Sequence, residues 1–294
     1  MSVVRVGTVR DPSTNLDASE ASRRAEAFQA LLRKPDCLLL PSSWDAGTAK
    51  LLAGLGFPAL ESTSAGLAYG LGRADGPGQV SRIETLENAR LIMSATALPV
   101  FADLEDGFGA SAEEVAETIQ LAGEAGLAGG SIEDATGNPD RPLHSVEAGA
   151  ARIRAAVNAA RQLGRPFSIT ARCEGLRHGL SLRQVIERLN VYADAGADGL
   201  YAPGLTSIED VRLLCTEVSR PVTVLTGSLG ATFCLQELAR AGARRMSLGS
   251  ALIRSAYGGL LRAASELQEH GTCSFADGAP SFARVQAIMS NPLG

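Results

Sequence analysis

Leu98-Pro99-Val100-Phe101-Ala102-Asp103-Leu104-Glu105-Asp106-Gly107-Phe108-Gly109 is a short apolar run that ends in three carboxylates and two glycines. Such a run reads as a buried strand whose C-terminal end opens into a charged loop. Asp103, Glu105 and Asp106 cannot all be ionised side by side without a cation or strong donors to offset them. The same grammar returns at Ser131-Ile132-Glu133-Asp134 and at Thr170-Ala171-Arg172-Cys173-Glu174. Three charged strand ends predict one active-site face.

Outward from this stretch, a unit recurs in which an Ala-rich amphipathic helix ends in Ala-Gly or Leu-Gly and runs at once into a short apolar strand. Gly56, Gly126, Gly196 and Gly242 fit helix C-terminal caps, where a left-handed conformation is cheap for glycine. Strands are expected near 37–43, 58–64, 98–104, 129–133, 166–172, 199–203, 221–226 and 244–249. Helical patterns lie near 45–55, 81–96, 111–125, 145–163, 181–195, 206–219, 229–241 and 250–269, opened by caps such as Asp45, Ser81, Ser111, Ser145, Ser181 and Thr206. Eight alternating β and α units with right-handed crossovers predict a closed (β/α)8 TIM barrel, with an open doubly wound sheet as the alternative. An extra N-terminal helix is expected over 18–34 and a C-terminal one over 279–289. Residues 1–17 carry no pattern and are expected to form a disordered tail. No linker divides 18–294, which reads as a single barrel domain.

The chain has 294 residues and a formal charge of −5, with aromatic residues at 4%. That balance argues against a nucleic-acid surface, which needs a basic patch and stacking platforms. No segment approaches the roughly 18 consecutive apolar residues of a membrane span, and the polar start from Met1 to Asn15 does not read as a signal peptide. A cytoplasmic protein without membrane or nucleic-acid partners is expected. Cys37, Cys173, Cys215, Cys234 and Cys273 are scattered without a C-x-x-C pair, so neither a disulfide framework nor a thiolate zinc site is suggested. Lys34 and Lys50 are the two lysines of the chain, and neither falls at a strand end, which argues against a Schiff-base mechanism.

Asp103 and Glu105 stand two apart at a strand end and are expected to point to the same side. Hard carboxylate oxygens without nearby histidines favour Mg²⁺, with Mn²⁺ also possible, over Zn²⁺. Capping of the next helix, the alternative use for these acids, falls to Ser111. Glu133 could complete the metal's surroundings through waters, while Asp134 is read as structural, turning the loop that follows. Arg172 could merely neutralise the acids around it, or hold a substrate carboxylate or a developing oxyanion. Ser62-Thr63-Ser64-Ala65-Gly66 ends the second strand with small residues whose amides could converge on an anion, although small residues are also what tight barrel loops require. Trp44 could wall the substrate pocket, Tyr201 is a pocket side chain able to influence the leaving group, and His144 is the histidine placed nearest the chemistry.

These residues together resemble the isocitrate lyase and phosphoenolpyruvate mutase superfamily from about Pro41 to Met289. The carrying motifs are Pro41-Ser42-Ser43-Trp44-Asp45-Ala46-Gly47, Thr63-Ser64-Ala65-Gly66-Leu67, Ala102-Asp103-Leu104-Glu105-Asp106-Gly107-Phe108-Gly109, Ile132-Glu133-Asp134 and Thr170-Ala171-Arg172-Cys173-Glu174. The resemblance implies a Mg²⁺-dependent barrel in which Glu105 matches the acid nearest the metal and Asp75, Asp103 and Glu133 match acids that hold its waters. Ser64, Ala65 and Gly66 match the segment that cradles a substrate carboxylate, and Arg172 the arginine that steadies the reacting 2-oxo acid. It further implies a homotetramer, a dimer of helix-swapped dimers in which the C-terminal helix is exchanged between subunits.

Two departures qualify the resemblance. Members that cleave isocitrate or methylisocitrate carry Lys-Lys-Cys-Gly-His or a near variant in the loop after strand four, whereas that loop here reads Asn138-Pro139-Asp140-Arg141-Pro142-Leu143-His144. Glu105 also stands where most members have Asp. The nearest match is the oxaloacetate decarboxylase-like branch, which implies a Mg²⁺-dependent lyase acting on a small 2-oxo acid through a pyruvate enolate. A phosphonopyruvate or carboxyphosphonoenolpyruvate C–P mutase or hydrolase, and a non-catalytic 2-oxo acid binder, are the alternatives.

Overall fold

The computed structural model describes residues 17–228 and 231–290. The tail expected to be disordered lies, apart from Asp17, outside the described residues. Among the described residues nine strand segments run parallel: β1 (Leu38–Leu40), β2 (Ser42–Ser43), β3 (Leu60–Ser62), β4 (Val100–Asp103), β5 (Gly129–Glu133), β6 (Ser168–Arg172), β7 (Gly199–Tyr201), β8 (Val222–Leu225) and β9 (Arg245–Ser247). Their order is β1-β9-β8-β7-β6-β5-β4-β3-β2. Since β1 pairs with β9 and β2 with β3, the chain itself closes the ring at Pro41. Proline has no amide to give to the ladder, so one barrel stave is written as two short strands. All eight expected strands are therefore present in a (β/α)8 barrel.

The helices are α1 (Ala18–Arg33), α2 (Ala46–Gly54), α3 (Ser64–Gly70), α4 (Arg82–Ala95), α5 (Ala112–Glu124), α6 (Val146–Gln162), α7 (Leu182–Asp194), α8 (Ile208–Glu217), α9 (Leu235–Ala241), α10 (Ala251–His270) and α11 (Phe282–Ser290). Asp45, Ser81, Ser111, Ser145 and Ser181 cap their helices as expected. At α8 the cap is Ser207 and not Thr206, because the Ser207 hydroxyl is the one that accepts the Asp210 amide at 3.1 Å. The helix expected over 229–241 is shorter: 229 and 230 lie outside the described residues, and Ala231–Cys234 precede α9, with the Thr226 hydroxyl donating to Ala231 and Phe233 carbonyls. Gly56, Gly126, Gly196 and Gly242 all adopt the left-handed backbone their positions predict, with φ from 86° to 106°.

The N-terminal end of the barrel is closed by α1. Phe28 is fully buried and stacks on Phe101 of β4 at 5.8 Å between ring centroids, within a cluster that includes Ala25, Leu40, Ala59 and Ala128. At the other extreme of the chain, α11 lies on α2, where Lys50 Nζ donates to the Met289 carbonyl at 2.7 Å. Among the described residues no helix is long and apolar enough to cross a membrane.

Candidate active site

The C-terminal strand ends converge on Arg172. Glu133 and Arg172 are register partners on β5 and β6, and their side chains meet at 3.2 Å. Arg172 also approaches Asp103 of β4 at 3.5 Å and donates through Nε to Glu174. Glu174 is buried and shared with Arg177 at 3.2 Å. Burial disfavours the charge on Arg172, but Glu133, Glu174 and Asp103 outweigh it and hold its pKa above the ordinary arginine value. Its planar guanidinium lies over Tyr201, 5.4 Å from the ring centre.

Glu105 reaches the same face by a different route from the one the sequence suggested. β4 ends at Asp103, and Glu105 takes a left-handed backbone with φ 47°, unusual for a residue with a Cβ. Its amide donates to Asp103 Oδ1 at 3.2 Å and its carbonyl accepts the Glu133 amide at 2.8 Å. A turn, and not strand alternation, brings the acids together. Arg152 of α6 holds that turn from beneath, donating to the carbonyls of Asp106, Gly109 (2.8 Å) and Ala110 (3.3 Å).

Burial, then the nearby charges of Asp103, Glu133, Asp106 and Asp75, push the Glu105 carboxyl up to about 8. Burial, followed by Asp103, likewise raises Asp75, and burial raises Glu133 despite its arginine. The acids are short of positive charge, which a divalent cation would supply. The donor set is all oxygen, as Mg²⁺ and Mn²⁺ prefer. Among the described residues no three acidic, imidazole or thiol groups form a ready-made cage. An ion that keeps most of its waters suits that arrangement, since Mg²⁺ dehydrates reluctantly.

Two connected spaces lie here. A well of about 100 Å³ descends into the barrel, and a broader mouth of about 870 Å³ spreads above it. Ser64, Asp75, Arg172 and Arg177 line both. Asp103, Ala65 and Tyr201 face the well; Glu105 and Glu133 face the mouth. Ser64, Ala65 and Gly66 form the first turn of α3, capped by Thr63, and the Ser64 hydroxyl donates to Asp103 at 2.8 Å. Gly66 sits behind them against Trp44, where an added Cβ would come within 2.7 Å of the tryptophan Cβ. Trp44 thus backs this turn and lines neither space.

His144 is half-exposed beside α7 and lines neither space, whereas His178 does border the mouth. Asp134 is structural in a stronger sense than a loop turn: it is buried, accepting from Glu174 N (2.8 Å), Tyr192 Oη (2.9 Å) and Arg188 (3.2 Å). Arg177 and Glu174 were not among the expected site residues. Their signal in the sequence was the acid that closes Thr170-Ala171-Arg172-Cys173-Glu174 and the basic residue three positions beyond it.

The sequence pattern of the phosphoenolpyruvate phosphomutase family matches residues 28–268. The chain is 34% identical to the 2-methylisocitrate lyase of Escherichia coli over 215 residues, covering 70% of this chain and 71% of the relative. It is 29% identical to an oxaloacetate decarboxylase of Pseudomonas entomophila, covering 74% and 75%. The crystal structure of a putative lyase/mutase from Burkholderia cenocepacia superposes with a TM-score of 0.91 at 46% identity, over 94% of this chain and 98% of that one. The chain belongs to the phosphoenolpyruvate mutase family, in the superfamily it shares with isocitrate lyase, and is an enzyme of the lyase and mutase type.

Proposed function

We propose that this enzyme is a Mg²⁺-dependent lyase that decarboxylates a small 2-oxo dicarboxylate, oxaloacetate, by way of a pyruvate enolate. The observation that carries the reading is a mouth of oxygen ligands around one clamped arginine. Glu105, with Asp75, Asp103 and Glu133 around the ion's waters, would hold Mg²⁺ or Mn²⁺. When bound, the ion supplies Lewis acidity toward the 2-oxo oxygen. Arg172 offers a planar donor face to the substrate carboxylate or the oxyanion that grows during C–C cleavage, and Ser64 and Ala65 border the same space.

The loop after β5 favours decarboxylation over the retro-aldol cleavage named for the 2-methylisocitrate lyase relatives. That cleavage needs a base for the hydroxyl and an acid for the departing carbanion. Here the loop is a closed turn, with Thr136 N donating to Pro142 O at 2.9 Å and Asp140 N to Asn138 Oδ1 at 2.9 Å, and it contains no thiol and no lysine. The test is pyruvate release from oxaloacetate with Mg²⁺ against EDTA, beside isocitrate, methylisocitrate and phosphonopyruvate. Oxalate, planar and charged on adjacent oxygens like the enolate, should bind in a Mg²⁺-dependent way at least ~10²-fold more tightly than substrate. Robust cleavage of isocitrate, or metal-independent oxalate binding, would overturn the reading.

A further inference from the structure

Barrels of this kind are usually filled with branched apolar side chains, but the well beneath Arg172 has a polar floor. Glu61, in the middle of β3, is 6% exposed. Its Oε1 accepts from Ser247 Oγ at 2.6 Å, Ser42 Oγ at 2.8 Å and Leu248 N at 3.3 Å. Those three bonds all fall on one oxygen, which leaves Oε2 for the well that Glu61 lines. Arg245 of β9 is equally buried and lies 4.1 Å over the Phe101 ring. Its Nε has no hydrogen-bond partner, although its charge is felt by Glu61. Tyr201 of β7 faces the same floor, while Asp103 and Arg172 stand higher in the well.

A buried carboxyl whose one oxygen is fixed by three donors is held in a single orientation. Burial favours its neutral form, against the pull of Ser247, Arg245 and Ser42. A buried guanidinium whose Nε donor has no partner is costly for structure alone. It becomes useful if negative charge appears beside it during turnover.

We propose that Glu61 is the acid that delivers a proton to C3 of the pyruvate enolate from the floor of the well, with Arg245 as the counter-charge for the carboxylate left behind. The proposal rests on the enolate reading above. Loss of CO₂ from oxaloacetate leaves an electron pair conjugated to C3. That pair takes the Glu61 proton, so the C3–H bond forms as the O–H bond breaks and pyruvate results. Glu61 recovers its proton from solvent through the well. One proton is consumed for each CO₂ released, as the overall reaction requires.

The test follows exchange of the pyruvate methyl protons in deuterated water with Mg²⁺, by proton magnetic resonance, beside CO₂ release from oxaloacetate and oxalate affinity by calorimetry. Glu61→Gln keeps the size and the acceptor of the side chain. It should slow methyl exchange by at least ~10²-fold, the usual worth of a positioned acid, while oxalate affinity stays within about twofold. CO₂ release should fall less, because an enolate can also be protonated after release. Arg245→Gln, which leaves Glu61 in place, should slow exchange too with oxalate still bound, and it carries the test if Glu61→Gln does not fold. Exchange within threefold of wild type in either variant, or loss of oxalate binding in a folded Glu61→Gln, overturns the proposal. So does a wild type that exchanges no methyl proton. A wild type that exchanges pyruvate but leaves oxaloacetate intact overturns the decarboxylase reading and leaves Glu61 as the enolate's acid.

Discussion

Phe101 and Asp103 stand two residues apart on β4 and face the same barrel interior, yet their surroundings are opposite. Phe101 is 2% exposed and stacked on Phe28, sealing the N-terminal end with α1. Asp103 receives the Ser64 hydroxyl and Arg172 at the open end. One strand therefore carries stability at its start and chemistry at its finish, the division expected of a (β/α)8 barrel. Between them lies a third zone, where Arg245 covers the Phe101 ring and Glu61 faces the well. The polar floor shows that the boundary between core and site runs through the middle of the barrel, and not at the strand ends.

The largest effect should come from the open end. Glu105→Ala removes the acid placed to hold the cation and is expected to lower turnover by more than about 10³-fold, several kcal/mol of transition-state stabilisation. The melting temperature should hold, since Glu105 sits at the mouth under repulsion from its neighbours and not in the core. Turnover kinetics with Mg²⁺ titration, beside thermal unfolding, check both halves. At the sealed end the signs reverse. Phe28→Ala should cost about 3–5 kcal/mol of stability, the usual loss for a buried phenylalanine, with oxalate affinity retained in the folded fraction. Denaturant unfolding measures the first and calorimetry the second. A mouth variant that unfolds the protein, or a plug variant that stays stable and loses ligand, would break the division of labour.

The same boundary explains what was legible in the sequence. Apolar runs locate all eight staves, five of them just after an Ala-Gly or Leu-Gly helix end, because a parallel strand buried on both faces leaves little room for polar residues. The charged ends at Asp103, Glu133 and Arg172 are legible for the complementary reason: a polar cluster directly after such a run has to sit at a rim. Glu61 and Arg245 escape this logic. Each lies inside a run already read as a strand, and nothing local distinguishes a residue that faces a polar well from one that interrupts a core. The missed signal was a charge at a strand position, Glu61 in the middle of β3 and Arg245, next to Arg244, at the start of β9, on two staves that the fold brings within electrostatic reach. α3 was missed because Ser64-Ala65-Gly66-Leu67-Ala68-Tyr69-Gly70 is rich in small residues that also suit a loop; Thr63 capping the Gly66 amide at 3.4 Å and the burial of Leu67 and Ala68 make it a helix. The turn at Glu105 was unreadable for a third reason, since a positive φ at a glutamate depends on Arg152 and the neighbouring strand, which lie far off in sequence.

Arg172→Lys sharpens the comparison within the mouth. An ammonium keeps the charge that offsets Glu133, Asp103 and Glu174 but loses the planar fork and its several fixed donors. If Arg172 serves the reacting acid, kcat/KM should fall by an amount equivalent to about 2–4 kcal/mol, as for an oxyanion donor, while thermal stability changes little. Steady-state kinetics on oxaloacetate read this directly. A variant within twofold of wild type would show that the arginine balances its three carboxylates and does nothing more.

The smallest effect is expected at His144, just outside the line between site and scaffold. Burial, then Arg152, lowers its pKa below the ordinary histidine value, with Arg188 adding to this and Asp106 and Asp134 opposing it. The folded protein therefore resists protonating His144 while the unfolded chain accepts a proton near the ordinary value. The sign follows: stability attached to the neutral ring is present above about pH 6.5 and is lost as pH falls from there through the lowered folded value, after which it levels off. Because the side chain is half-exposed, the effect should stay under about 1 kcal/mol. His144→Gln has no such proton to take up, so its melting temperature should gain on wild type as the solution is acidified below pH 6.5, by no more than about 2–4 °C, and match it above. Parallel melting curves would reveal no coupling of this ring to folding. A kcat profile that loses its acidic limb in the same variant would move His144 from the scaffold into the chemistry and shift the boundary of the site past the loop at 138–144.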